Sequence, residues 1–114
     1  MNTSYTIALH NILCYLPDES TDEVYLMYEG KKIWPLNEKF SSMKEDSSSS
    51  LKIETSVIRG ATIKIELWEY DDLSPDDKLG KFLLEADKIG GPYTSDMIKE
   101  DNGKSKYAIN WEVR

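Results

Sequence analysis

A chain of 114 residues is long enough to bury one core without disulfide or metal staples, and a single domain over residues 1–114, complete at Arg114, is expected. Fourteen Lys and Arg against twenty-one Asp and Glu leave a formal charge of −7; phosphate binding needs concentrated basic side chains, so this balance argues against nucleic acid as the partner. The lone Cys14 has no partner for an internal disulfide, and the first residues carry no basic stretch ahead of an unbroken apolar run, so neither a secretory signal nor a membrane span is expected and a reducing compartment is the default.

In chain order, apolar residues recur with a period of two almost throughout, the pattern of strands rather than helices. Tyr5, Ile7 and Leu9 share one face, after which Ile12 and Tyr15 fall out of step by one residue. That break predicts a β-bulge at His10 or Asn11. An acidic loop from Leu16 to Glu23 follows, and Val24 to Tyr28 is apolar on both faces, as a central strand would be. Glu29-Gly30 suits a tight hairpin turn into a strand from Lys31 to Trp34, which Pro35 ends. Ser41 to Ser50, with four consecutive serines from Ser47, is too polar to pack and reads as a mobile loop. Leu51 and Ile53, then Ile63, Ile65 and Leu67, then Phe82 and Leu84, resume the alternation. Ser95 to Glu100 offers one capped helical turn that Asn102-Gly103 would stop, and Tyr107, Ile109, Trp111 and Val113 close the chain as a strand. Seven or eight short strands separated by turn residues predict an all-β sandwich.

The segment Leu67-Trp68-Glu69-Tyr70-Asp71-Asp72-Leu73-Ser74-Pro75-Asp76-Asp77-Lys78-Leu79-Gly80 is where an alternating strand runs into carboxylates. Strand residues two apart point the same way, so Glu69 and Asp71 would project together, and a turn through Ser74 and Pro75 would swing Asp77 back towards them. Hard divalent cations take such oxygens. The same residues also suit an ordinary surface turn whose carboxylates face water.

Other chemistries find little support. His10 is the one histidine and sits in a strand, where a hydrogen-bonded role outweighs a catalytic base or zinc ligand. Cys14 lacks the His and Asn that would activate it and reads as a small packed side chain. The spacing from Glu69 lacks the sixth-position glycine and twelfth-position glutamate of a helix-loop-helix calcium loop, and no glycine-rich phosphate loop exists. Trp34, Trp68 and Trp111 suit packing, with Trp68 partly exposed on the face opposite Ile65 and Leu67. The chain is therefore not expected to be an enzyme.

Several of these segments together resemble the C2 domain, the calcium-dependent lipid-binding module of protein kinase C and synaptotagmin. Tyr5-x-Ile7-x-Leu9-x-x-Ile12-x-x-Tyr15 looks like that family's first-strand pattern, Thr21-Asp22-Glu23-Val24-Tyr25 is similar to its Ser-Asp-Pro-Tyr-Val step, and Leu67 to Gly80 resembles its Val-Trp-Asp-x-Asp loop ending in Asp-x-Ile-Gly. The resemblance covers most of the chain up to Phe82 and implies an antiparallel eight-stranded Greek-key β-sandwich. It implies metal ligands at Glu69, Asp71 and Asp77, with Ser74 as a further contributor, and at Asp22 and Asp18 in the first loop. Glu69 stands where the family usually has Asp, Glu23 replaces a Pro, and Asp72 occupies a tip where a basic residue is common.

Two functions follow as expectations. In one, Ca2+ fills the carboxylate cluster and bridges to phospholipid while Leu16 and Leu73 dip into the headgroup region, giving a cytoplasmic protein peripherally associated with membranes. In the other, the sandwich is a calcium-independent protein-interaction or assembly module that uses a strand edge or the Lys31-Lys32 hairpin.

Overall fold

The structure, a computed structural model, describes residues 3–100 and 103–114. Its strands are β1 (Ser4–Leu16), β2 (Thr21–Tyr28), β3 (Lys31–Trp34), β4 (Ser41–Lys44), β5 (Ser47–Ile58), β6 (Thr62–Glu69), β7 (Asp77–Glu85), β8 (Gly90–Asp96), β9 (Ile98–Lys99) and β10 (Lys106–Val113). They form two antiparallel sheets, one ordered β5-β1-β10-β8 and the other β3-β2-β6-β7-β9, with β4 also paired to β2. Taking β3 and β4 as one interrupted edge strand and setting aside the two-residue β9, these are the eight strands of the expected sandwich.

Alternation builds the core. Val24 and Leu26 on β2, Ile63, Ile65 and Leu67 on β6, and Phe82 and Leu84 on β7 face Ile7, Leu9 and Ile12 on β1 and Tyr107, Ile109 and Trp111 on β10. In β1 the pairing with β10 slips between Leu9 and Asn11, which is the expected bulge, and the buried phase moves from Ile7 and Leu9 to Ile12 and Cys14. Tyr15, next to the inward-facing Cys14, is exposed. Burial pushes the Cys14 thiol up, as for a packed rather than reactive side chain. His10, at the bulge, bonds through Nε2 to Glu112 Oε1 at 2.6 Å.

The hairpin falls where expected. Glu29 and Gly30 have φ of 51° and 78°, the paired positive angles of a two-residue turn that matches strand twist.

Two expectations are corrected. Ser41 to Ser50 is not a mobile loop: it forms β4, a turn at Glu45-Asp46, and the start of β5, whose Ser47, Ser48, Ser49 and Ser50 pair with Cys14, Leu13, Ile12 and Asn11. Pairing with β1 replaces the apolar contacts these serines lack, and Met43 anchors β4 in the core. Ser95 to Glu100 is not a helical turn. It ends β8 and forms β9, because Trp111 Nε1 donates to Ser95 Oγ at 2.9 Å and Met97 is buried. Asn102, expected to stop that turn, lies outside the described residues.

The first and last strands are neighbours: Thr6 and Arg114 exchange backbone hydrogen bonds of 2.9 and 2.8 Å. Both ends of the described chain therefore sit at one pole of an elongated body of 50 × 25 × 24 Å. The β1–β2 and β6–β7 loops sit at the other.

Candidate functional site: the acidic rim

Asp22 is the second residue of β2, and the alternation that buries Val24 and Leu26 turns it inward as well. It is fully buried. Its carboxylate accepts hydrogen bonds from the Asp18 amide at 2.9 Å, the Glu19 amide at 3.2 Å and the Tyr107 hydroxyl at 2.7 Å. Three donors compensate the desolvation of a buried charge. They also fasten the β1–β2 loop to β10 in the opposite sheet. Asp18 is thereby turned towards the β9–β10 connection, where it accepts the Lys104 amide at 3.4 Å.

Glu69 ends β6 on the same inward face as Leu67, opposite Val24 of β2 and Asp77 of β7. Burial, together with the charges of Asp22 and Glu19 and a hydrogen bond to Asp22, pushes its carboxyl up to about 8. Ionisation of Glu69 is therefore disfavoured by its surroundings.

Asp71, expected to project beside Glu69, does something else. Its Oδ1 accepts the Leu73 and Ser74 amides at 2.9 and 3.2 Å, and its Oδ2 accepts the Ser74 hydroxyl at 2.7 Å. These donors, the Leu73 amide first, hold its carboxyl below the usual range. Asp71 thus caps its own turn, with Ser74 as its partner. Asp76, which carried no expected role, braces the other side of the loop by accepting the Asp71 amide at 2.9 Å and the Tyr25 hydroxyl at 2.5 Å. Burial, then Asp76, pushes the Tyr25 hydroxyl up.

Asp77 begins β7, exposed, and borders two clefts. One, of about 270 Å³, is also lined by Glu19, Glu23, Glu69, Asp71 and Asp72. The other, of about 300 Å³, lies between Asp18, Lys99, Glu100 and Ser105. The neighbouring Lys78 turns to the outer face of the sheet, where its ammonium meets Glu66 at 2.9 Å and Glu100 at 3.6 Å. It does not neutralise the rim carboxylates.

The five expected ligands are thus at one rim but unequally free. Asp22 and Asp71 are engaged with protein donors, Asp18 with one amide, while Glu69 and Asp77 face a common cleft. Among the described residues, no group of three or more His, Cys, Asp and Glu side chains converges as a preformed metal site. Leu73 stands at the loop tip, 97% exposed. Leu16, expected at a tip, is the last residue of β1, half-buried and paired with Lys106.

Two solved structures share this fold. A C2 domain of plant extended synaptotagmin 1 superposes with a TM-score of 0.56 at 9% identity, covering 97% of this chain and 92% of that one. A second C2 domain superposes with a TM-score of 0.53 at 16% identity, covering 96% of each. No family model matches the sequence, and no curated protein does. The chain has the C2 fold.

Proposed function

We propose that this C2-fold chain is a non-enzymatic binding module whose acidic rim takes up Ca2+ and thereby docks on phospholipid at the cytoplasmic face of a membrane. The observation that carries the reading is the crowding of carboxylates: Glu19, Glu23, Glu69, Asp71, Asp72 and Asp77 line one cleft, where their mutual repulsion favours a cation. Glu69 and Asp77 are the ligands open to the ion. Asp22 and Asp71 shape the two loops and give up donors only if the loops adjust, and Asp18 and Ser74 stand beside them. Once the repulsion is cancelled, Leu73 is the apolar group that meets the headgroups.

A second reading is favoured by the donors already on Asp22 and Asp71, which make those carboxylates structural. In it the domain is a calcium-independent protein-interaction module.

Thermal melting with calcium against chelator separates the two. An ion at ~100 times its dissociation constant adds about 2.7 kcal/mol to the folded state. The wild type should melt several degrees higher in calcium, Asp77→Asn should lose that gain, and Asp46→Asn, in the β4–β5 turn, should keep it. A melting point indifferent to millimolar calcium sinks the ion reading and leaves the interaction module.

A further inference from the structure

β5 is the outermost strand of its sheet, bonded to β1 on one side and open on the other. The other sheet edges are short or blocked: β3 and β4 have four residues each, β9 has two, and β8 carries Pro92, which has no amide to donate. β5 has twelve residues and neither Pro nor Gly. Its one irregularity is a bulge: between the Leu9–Ile53 and Asn11–Ser50 pairs it sets Leu51 and Lys52 against His10 alone, and Lys52 takes φ of 53°. The arms on either side, 47–50 and 53–58, keep outward backbone groups that another strand can pair with.

From residue 45 to residue 59 the charged residues are Glu45, Asp46, Lys52, Glu54 and Arg59. Reversed, this series is its own complement. In an antiparallel pairing of two copies centred on Ile53, Lys52 stands opposite Glu54 of the second copy, Glu54 opposite its Lys52, and Arg59 opposite its Ser47, next to its Asp46. The same register keeps faces matched, because inward Leu51 and Ser49 meet inward Thr55 and Val57 while half-buried Ile53 meets its own copy. Among the described residues Lys52 pairs with no carboxylate, and Glu54 meets Arg114 at 3.3 Å through Oε2. Arg59 lies 5.9 Å over the Tyr5 ring, a contact that leaves its N–H donors for a carboxylate. Because β5 runs from Ser47, opposite Cys14 near the acidic loops, to Ile58, opposite Ser4 at the other pole, the pairing sets the two acidic rims at opposite ends. For copies carrying −7 each, that arrangement limits their repulsion.

We infer that β5 is a self-pairing edge, through which two copies of the chain join their four-stranded sheets into one continuous sheet about a two-fold axis at Ile53. A ladder of this length is a small interface, so the dimer forms reversibly and at high protein concentration.

Sedimentation velocity from micromolar to millimolar protein, in chelator so that the calcium reading is not involved, compares the wild type with Lys52→Glu, Glu54→Lys and the double variant. Both positions are exposed. Each single reversal sets like charges opposite one another at two places and should weaken association about tenfold. The double variant has the wild-type net charge and again sets opposite charges together, so it should restore the dimer. Amide exchange at residues 48–50 and 56–58 of the wild type should slow as concentration rises. A wild type that stays monomeric at millimolar concentration overturns the inference. So does association that ignores the single reversals, which would place the contact on another surface, or a double variant that does not recover, which would make the effect one of net charge.

Discussion

Glu69 and Tyr107 set the chemistry of the rim from opposite sides of Asp22. Because the Glu69 carboxyl is raised in the folded chain, the folded state binds more protons than the unfolded one between about pH 4.5 and about 8. Its contribution to stability is complete below that window and is lost as pH rises through it. The metal-free melting temperature should fall across this range, and Glu69→Gln should flatten the fall and melt higher at its alkaline end; parallel profiles for the two proteins in a pH series would show that Glu69 carries no such proton. Tyr107 supplies one of the three donors on buried Asp22. Tyr107→Phe keeps the ring and withdraws that donor, so it should cost about 2 kcal/mol in urea denaturation. A loss near zero would mean that water replaces the hydroxyl. Tyr107 was not legible as part of the site, since its partner Asp22 lies 85 residues away, and for Asp76 the bond to Tyr25, 51 residues away, was equally hidden, although its bond to the Asp71 amide is local. The acidity of the rim was legible. What the spacing of Asp71 could not tell is whether a carboxylate faces an ion or its own turn amides, because both begin with the same Asp-x-x-Ser.

Strands with apolar alternation or a strong turn were readable in advance: β3 begins and ends where Gly30 and Pro35 require, and the phase break in β1 located the bulge. β4 and the first half of β5 were not, because their serines are held by pairing to β1 and β2 rather than by propensity. β9 was missed for a related reason. It exists because β7 offers an edge at Gly80, whose partner is Lys99. A Cβ at Gly80 would meet the Ile98 carbonyl oxygen and lie 2.7 Å from Met97 Cγ. Gly80→Ala should therefore destabilise by about 1–3 kcal/mol and loosen β9, seen in urea unfolding and in faster amide exchange at Lys99. Unchanged exchange at Lys99 would show that β9 does not depend on this close approach.

At the scale of the molecule, the net charge of −7 is carried in part by the carboxylates crowded at the loop pole, and the surface ion pairs, such as Arg114 with Glu54 at 3.3 Å, contribute little against it. Raising monovalent salt from ~10 mM to ~150 mM shortens the screening length from about 30 to about 8 Å. The metal-free protein should melt higher over that change, and a lower melting point would mean that attractive pairs outweigh the repulsion.

The mutual bonding of Thr6 and Arg114 has a mechanical consequence. Force applied through the two ends acts on one end of the β1–β10 ladder, so it opens the backbone hydrogen bonds one after another instead of shearing them together. Such a domain should come apart at low load when pulled from its ends. A tether at that pole would yield as a soft link, while load entering through the acidic loops and one end would run along the thirteen-residue β1 and meet the stiff direction of the same sandwich.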